Sequence, residues 1–168
     1  MAANNTLIVY ASRRGDEEKC AREIFNLIDG KVDICDLSNR ESFPDASTYD
    51  TVIIGSSVYH GKVLGLVSNF CQINLDIFTR KRLGLFIICP DSGERAEKEL
   101  QEAYPPELFN SAIARDYFGG EIDPSRLSIL EKIITYRLSG SRKPSIPASR
   151  EKIKKFAKKM NPSHASQE

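Results

Sequence analysis

Three shortages in this sequence each remove a class of protein. Net charge is almost missing: 24 Lys and Arg stand against 23 Asp and Glu in 168 residues, for a formal charge of +1. A wholesale nucleic-acid binder would carry a strongly basic domain, so no nucleic-acid partner is expected. Paired cysteines are missing too. Cys20, Cys35, Cys71 and Cys89 are scattered without any Cys-x-x-Cys spacing and fall in apolar or helical patterns, which signals neither a metal site nor a disulfide framework. A reducing, cytoplasmic compartment is the expectation. Long apolar runs are the third lack. The most apolar stretches, such as Leu83 to Cys89, fall far short of the roughly 20 residues that span a bilayer. The first residues run into a strand-like segment with no basic-then-apolar leader pattern.

What is present suits one globular domain. Hydrophobic residues make up 40% of the chain and charged residues 28%, which excludes disorder, collagen and coiled coil as descriptions of the whole. The domain is expected over 1–161, with a disordered tail at 162–168.

Periodicity sets the architecture. Thr6 to Ala11 reads as a strand, Ser12-Arg13-Arg14-Gly15 as a tight loop, and Asp16-Glu17-Glu18 as the opening of a helix. That helix carries Cys20, Ile24, Leu27 and Ile28 on one stripe and is expected to stop at Asp29-Gly30. Lys31 to Leu37 alternates as a second strand. Thr51 to Ser56 and Leu83 to Cys89 are continuous apolar runs, the signature of central parallel strands, with a helical period over Leu64 to Ile73 between them. Ala114 to Gly120 supplies a fifth strand. After Pro124, the residues Leu127, Leu130, Ile133, Ile134 and Leu138 share a helical stripe. Ser139 to Pro147 is a loop, and Ser149 caps a last helix bearing Ile153, Phe156, Ala157 and Met160.

Strands alternating with helices predict an α/β, doubly wound, parallel sheet with helices on both faces. Ligands of such sheets sit at the carboxyl ends of the strands. Three loops lie there: Ser12 to Asp16, Ser56 to Gly61, and Cys89 to Glu94. The first is a glycine loop entering a helix, a generic anion site. It is neither Gly-x-Gly-x-x-Gly nor a Walker loop. A receiver domain would need acidic residues after strand one and an aspartate closing strand three, where Ser12 and Ser56 stand.

Three segments carry a family resemblance: Ile8-Val9-Tyr10-Ala11-Ser12-Arg13-Arg14-Gly15, Val52 through Lys62 with its Gly-Ser-Ser-x-Tyr-x-Gly pattern, and Phe118-Gly119-Gly120 followed by the helix start at Pro124. The chain resembles the flavodoxin family, and more closely the flavodoxin-like proteins related to menaquinone-dependent protoporphyrinogen oxidase. That resemblance implies a flavodoxin-like five-stranded sheet of order 2-1-3-4-5 and FMN at the post-strand loops. It also implies a redox role, as an electron carrier or an FMN-dependent oxidoreductase, with a partner protein or a small acceptor.

Carried over by residue, Ser12, Arg13, Arg14, Gly15, Asp16 and Glu17 form the phosphate loop. Tyr59 stacks on the isoalloxazine ring, with Ser56, Ser57, Val58 and Gly61 along its edge. Pro90, Asp91, Ser92 and Gly93 frame its other side, and His60 is a candidate proton donor. The family's loop reads Ser/Thr-x-Thr-Gly-x-Thr, whereas Arg14 and Glu17 replace two threonines here. A carboxylate about 4 Å from a phosphate costs roughly 4 kcal/mol per charge pair at an effective dielectric near 20. Arg13 or Arg14 offsets that by a charge-assisted phosphate contact, or Asp16 caps the helix while Glu17 and Glu18 complement its dipole from within. The second case describes a different protein, a flavodoxin-fold interaction module that has lost FMN.

Cys89 reads as a buried strand end rather than a redox thiol, since no basic residue adjoins it. The basic segment that the oxidase relatives carry after strand four is replaced by acidic Asp91 to Glu99. Finally, the near-zero charge is a cancellation: Arg142 to Met160 carries +7 and the remainder −6. The lysines of that helix offer a docking patch for an acidic partner or an anionic membrane surface.

Overall fold

Continuous β-branched and aliphatic runs leave neither face for water, and the three in this chain form the middle of one sheet. The computed structural model describes residues 4–12, 15–39, 41–59, 61–120, 128–139 and 147–162. The expectations for Arg13, Arg14, His60 and the tail at 163–168 lie outside the described residues. Strands β1 (Asn5–Ala11), β3 (Thr51–Tyr59) and β5 (Arg82–Ile88) are flanked by β2 (Lys31–Asp36) and β6 (Ala114–Phe118) in the parallel order β2-β1-β3-β5-β6. Counting those five strands alone, this is the expected 2-1-3-4-5. A two-residue β4 (Lys62–Val63) folds back antiparallel on the end of β3. Ala11 lies opposite Ser56, and Ser57 opposite Ile88, so β1 and β5 end on either side of the same stretch of β3, which runs on to Tyr59.

Alternate residues of the sheet build two cores. Helices α1 (Asp16–Phe25) and α7 (Arg150–Met160) cover Ile8, Tyr10, Ile53, Phe86 and Ile88. Helices α2 (Gly65–Ile73), α3 (Leu75–Phe78), α4 (Gly93–Ala103) and α5 (Pro106–Ser111) cover Leu7, Val9, Val52, Ile54, Leu85 and Ile87. Gly55 leaves the space that Phe86 fills, since a Cβ there would stand 1.9 Å from the ring's Cζ. Gly84 does the same for α7, where a Cβ would meet Met160 Sδ at 2.8 Å and Phe156 Cζ at 2.9 Å. As expected, Ile153, Phe156, Ala157 and Met160 are the buried face of α7, and Ser149 Oγ accepts the Lys152 N–H at 3.4 Å.

Two expectations change. Helix α1 ends at Phe25, not at Gly30, because the chain tightens at Ile24, whose carbonyl accepts the N–H groups of both Leu27 and Ile28. Asn161 then ties this turn to α7, donating to Leu27 O at 3.0 Å and accepting from the Asp29 N–H at 2.9 Å. The apolar stripe before Ser139 does form helix α6 (Ile129–Ser139), but Leu130, Ile133 and Ile134 are exposed, at 48 to 67%. A helical period shows which residues share a face, not what covers it. Leu127 and the side chain of Leu138 lie outside the described residues. No helix among the described residues is long and apolar enough to cross a membrane.

Candidate functional site

Glu17 falls one turn before Cys20 and Ala21 and two before Ile24, so the helical period puts it on the buried face of α1. Its exposure is zero. A buried carboxylate must be met by donors, and two hydroxyls meet this one. Ser12, leaving β1, donates to Glu17 Oε2 at 3.1 Å, and Ser57, in β3, donates to Oε1. The Ser12 oxygen in turn accepts the Gly15 N–H at 2.8 Å. Gly15 takes the left-handed conformation, φ +92°, that turns the strand into the helix. Among the described residues no cation pairs with Glu17. Its charge is balanced by the hydroxyls and by the positive end of the α1 dipole. A cap at Asp16 was one of the two alternatives for this helix start; instead Gly15 holds the cap position with no side-chain bond, and half-buried Asp16 is the first helical residue.

The second segment is less a loop than expected. Strand β3 runs on through Ser57, Val58 and Tyr59, all half-buried, and Tyr59 pairs with Lys62. Gly61, at φ +76°, supplies the left-handed position that short hairpins need. The Ser56 hydroxyl is buried and committed to its own segment, accepting the Leu64 N–H at 3.1 Å and donating to Ser57 O at 2.8 Å.

In the third loop Pro90 and Asp91 are half-buried, while Ser92 and Gly93 are exposed. The Gly93 N–H donates to Tyr117 Oη at 3.2 Å, and Arg95 Nε lies 3.7 Å from Asp91 Oδ2. Cys89 is buried and its thiol donates to Glu99 Oε2 at 2.8 Å. Burial first, and the bond to Glu99 second, push this thiol up to about 12. Such a group is a hydrogen-bond donor at neutral pH, not a redox thiolate. The ligand atoms of Cys89, Asp91 and Glu99 lie within 4.8 Å of one another, a spacing that admits a cation only once the thiol gives up its proton.

Tyr117 joins this loop to the basic helix. Lys152 Nζ is 2.8 Å from Asp116 Oδ1, donates to Tyr117 O at 2.7 Å and lies over the Tyr117 ring, 3.1 Å from its centroid. Lys152 is thus part of the packing, whereas Lys154, Lys155, Lys158 and Lys159 face solvent.

The first two segments therefore meet where the sheet order reverses between β1 and β3, the switch point at which doubly wound sheets take their ligands, and the third follows at the next strand end. A family model described as the flavodoxin domain matches residues 7–143. The chain belongs to the flavodoxin-domain family. Solved structures share the fold at low identity. The oxidised flavodoxin 1 of Bacillus cereus is 15% identical, with 97% of this chain and 100% of that chain covered and a TM-score of 0.56. An oxidoreductase from Corynebacterium diphtheriae is 14% identical over 95% of this chain and 96% of that one, with a TM-score of 0.58. The rubredoxin:oxygen oxidoreductase of Desulfovibrio gigas is 15% identical over 94% of this chain but 36% of that one, with a TM-score of 0.50. None of the curated proteins matches the sequence.

Within this flavodoxin domain, Ser12, Gly15, Glu17 and Ser57 are brought into one hydrogen-bonded group, and Asp91 to Gly93 are placed at the neighbouring strand end. Sequence reasoning missed two partners. Ser57 was a candidate for the ring edge rather than a donor to Glu17. Glu99 was not singled out at all, because nothing local marks it: its contact comes from α4, ten residues after Cys89.

Proposed function

We propose that this flavodoxin-domain chain is a flavin redox protein that takes FMN and exchanges electrons with a redox partner or a small acceptor. One observation carries the reading: the end of β3 through Tyr59, at the switch point of a 2-1-3-4-5 sheet, and the turn after β5 lie side by side. The flavodoxin domain over residues 7–143 supports it. The similar protein from Desulfovibrio gigas is itself described as an oxidoreductase acting with rubredoxin and oxygen.

In this proposal the half-buried Tyr59 stacks on the ring. Ser57, Val58 and Gly61 border one edge, Pro90, Asp91, Ser92 and Gly93 border the other, and His60 is the proton donor. A bound isoalloxazine supplies one- and two-electron chemistry, and the protein's part is to place it and set the charge around it. The ring end fits, since exposed backbone at Ser92 and Gly93 and a half-buried aromatic are what a flat heterocycle needs. The phosphate end does not fit unchanged. Ser12 is already bonded to Gly15 and Glu17, and a carboxylate stands where Arg13, Arg14, Gly15 and Asp16 would surround an anion.

The nearer kinship with proteins related to menaquinone-dependent protoporphyrinogen oxidase is part of the proposal and rests on Gly55 to Lys62. Acidic Asp91 to Glu99 weighs against a porphyrin at the third loop. The exposed lysines of α7 suit an acidic redox partner or an anionic membrane surface, and such binding would weaken as salt rises.

Glu17 favours a second reading. A helix start satisfied from within needs no external anion, which suits an interaction module on a flavodoxin scaffold. Visible absorption and melting temperature of the full chain with excess flavin separate the two. A shifted flavin spectrum with a raised melting temperature supports the redox protein; unchanged values for both support the module.

A further inference from the structure

We propose that Glu17 is a specificity residue: its carboxylate holds the place of the cofactor's phosphate, so the site recognises a flavin by ring and ribityl chain and gains little from the phosphate of FMN. This rests on the flavin reading above.

The N-terminus of a helix presents amides without partners in the helix and the positive end of its dipole, the usual seat of a bound anion. In this chain the anion is built in. Glu17 is the second residue of the helix, fully buried, with each carboxylate oxygen taking one hydroxyl. The two hydroxyls come from different strands, so the carboxylate bridges the end of β1 to the end of β3 across the switch point. Ser12 is used twice, since its oxygen also accepts the Gly15 N–H at 2.8 Å. Those donors, Ser12, Ser57 and the Gly15 amide, are the groups a phosphate would require.

A phosphate entering here would have to strip both serines from Glu17 and then lie against a like charge with little water between them. A ribityl chain ending in a hydroxyl meets no such cost. It brings no like charge and leaves both serine bonds to the buried carboxylate in place. The ordinary advantage of FMN over riboflavin is thereby removed. Arg13 and Arg14, adjacent in sequence to Gly15, define the opposite case: a phosphate drawn onto them and away from Glu17 would keep FMN the preferred ligand.

The experiment titrates the full chain and two variants with FMN and with riboflavin, reading flavin fluorescence, and compares the ratio of the two dissociation constants. A ratio is insensitive to general loosening of the fold, which weakens both flavins alike. The wild type is expected to bind the two within about threefold of each other. Glu17→Thr, which supplies the hydroxyl of the family pattern, should favour FMN by a further tenfold to about a thousandfold. Glu17→Gln, which keeps the shape without the charge, should favour it by roughly tenfold and serves where the threonine variant fails to fold. A wild type that holds FMN about a hundredfold more tightly, with a ratio unmoved by either variant, overturns this inference and leaves the flavin reading intact. Binding of neither flavin by any of the three proteins overturns the flavin reading and this inference with it.

Discussion

Two glutamates turn inward at the carboxyl edge of the sheet, and their partners make them different devices. Glu17 is fully buried and bonded by serines from two strands, whereas Glu99 is half-buried and bonded by the thiol of Cys89 in the loop before its own helix. The first therefore ties β1 to β3, and its loss loosens the geometry of the site. The second takes the thiol of the loop before its own helix. A buried carboxylate is thus read from what its donors are attached to, not from its burial alone.

The largest expected effect concerns the buried thiols, of which Cys20 lies one turn after Glu17 and Cys89 against Glu99. Burial pushes the thiols of Cys20, Cys71 and Cys89 from their ordinary range up to about 12 in the folded chain. On unfolding they return to ordinary values, so the unfolded state releases their protons first as the solution becomes alkaline. Stability that is complete below about pH 9 should fall as pH rises from there towards 12, seen as a dropping urea midpoint. A midpoint flat over that window would contradict the buried, protonated thiols.

Removing the carboxylates separates them next. Glu17→Leu removes the acceptor shared by the half-buried Ser12 and Ser57 hydroxyls and should cost about 2 kcal/mol, while Glu99→Leu should cost about 1 kcal/mol or less. Equal losses in chemical denaturation would erase the distinction between the bridge and the local bond. Smaller again is the chemical readout at Cys89. Glu99→Gln removes a lesser cause of the raised thiol and leaves burial, the first, in place, so alkylation at pH 8 should quicken by roughly tenfold at most. Smallest is Ser149→Ala, a cap distant from both glutamates, worth about 1 kcal/mol or less and without effect on the flavin ratio.

Much of this arrangement was legible in the residues. Thr51 to Ser56 and Leu83 to Cys89 are apolar without alternation, as expected of parallel strands covered on both faces, and the three post-strand loops follow from that; the sheet order was implied by the family resemblance and is the one observed. Helix α4 escaped notice because Ala96, Leu100 and Ala103, its buried residues, include two alanines too small to mark a stripe. Glu17 was legible in part: its spacing from Cys20, Ala21 and Ile24 puts it on the buried face, but an acid in a first helical turn also fits a solvated dipole partner. The serine from β3 that decides between them is 40 residues away. Helix α6 shows the converse, a correct period whose exposed face no local pattern foretells.

One measurement bears most directly on the site as a whole: quenching of flavin fluorescence as the full chain is titrated into riboflavin and, in parallel, into FMN. The account predicts that both flavins are quenched, one per chain, with affinities within about threefold of each other. Fluorescence of both flavins unchanged at high protein excess, or FMN held about a hundredfold more tightly than riboflavin, would contradict it.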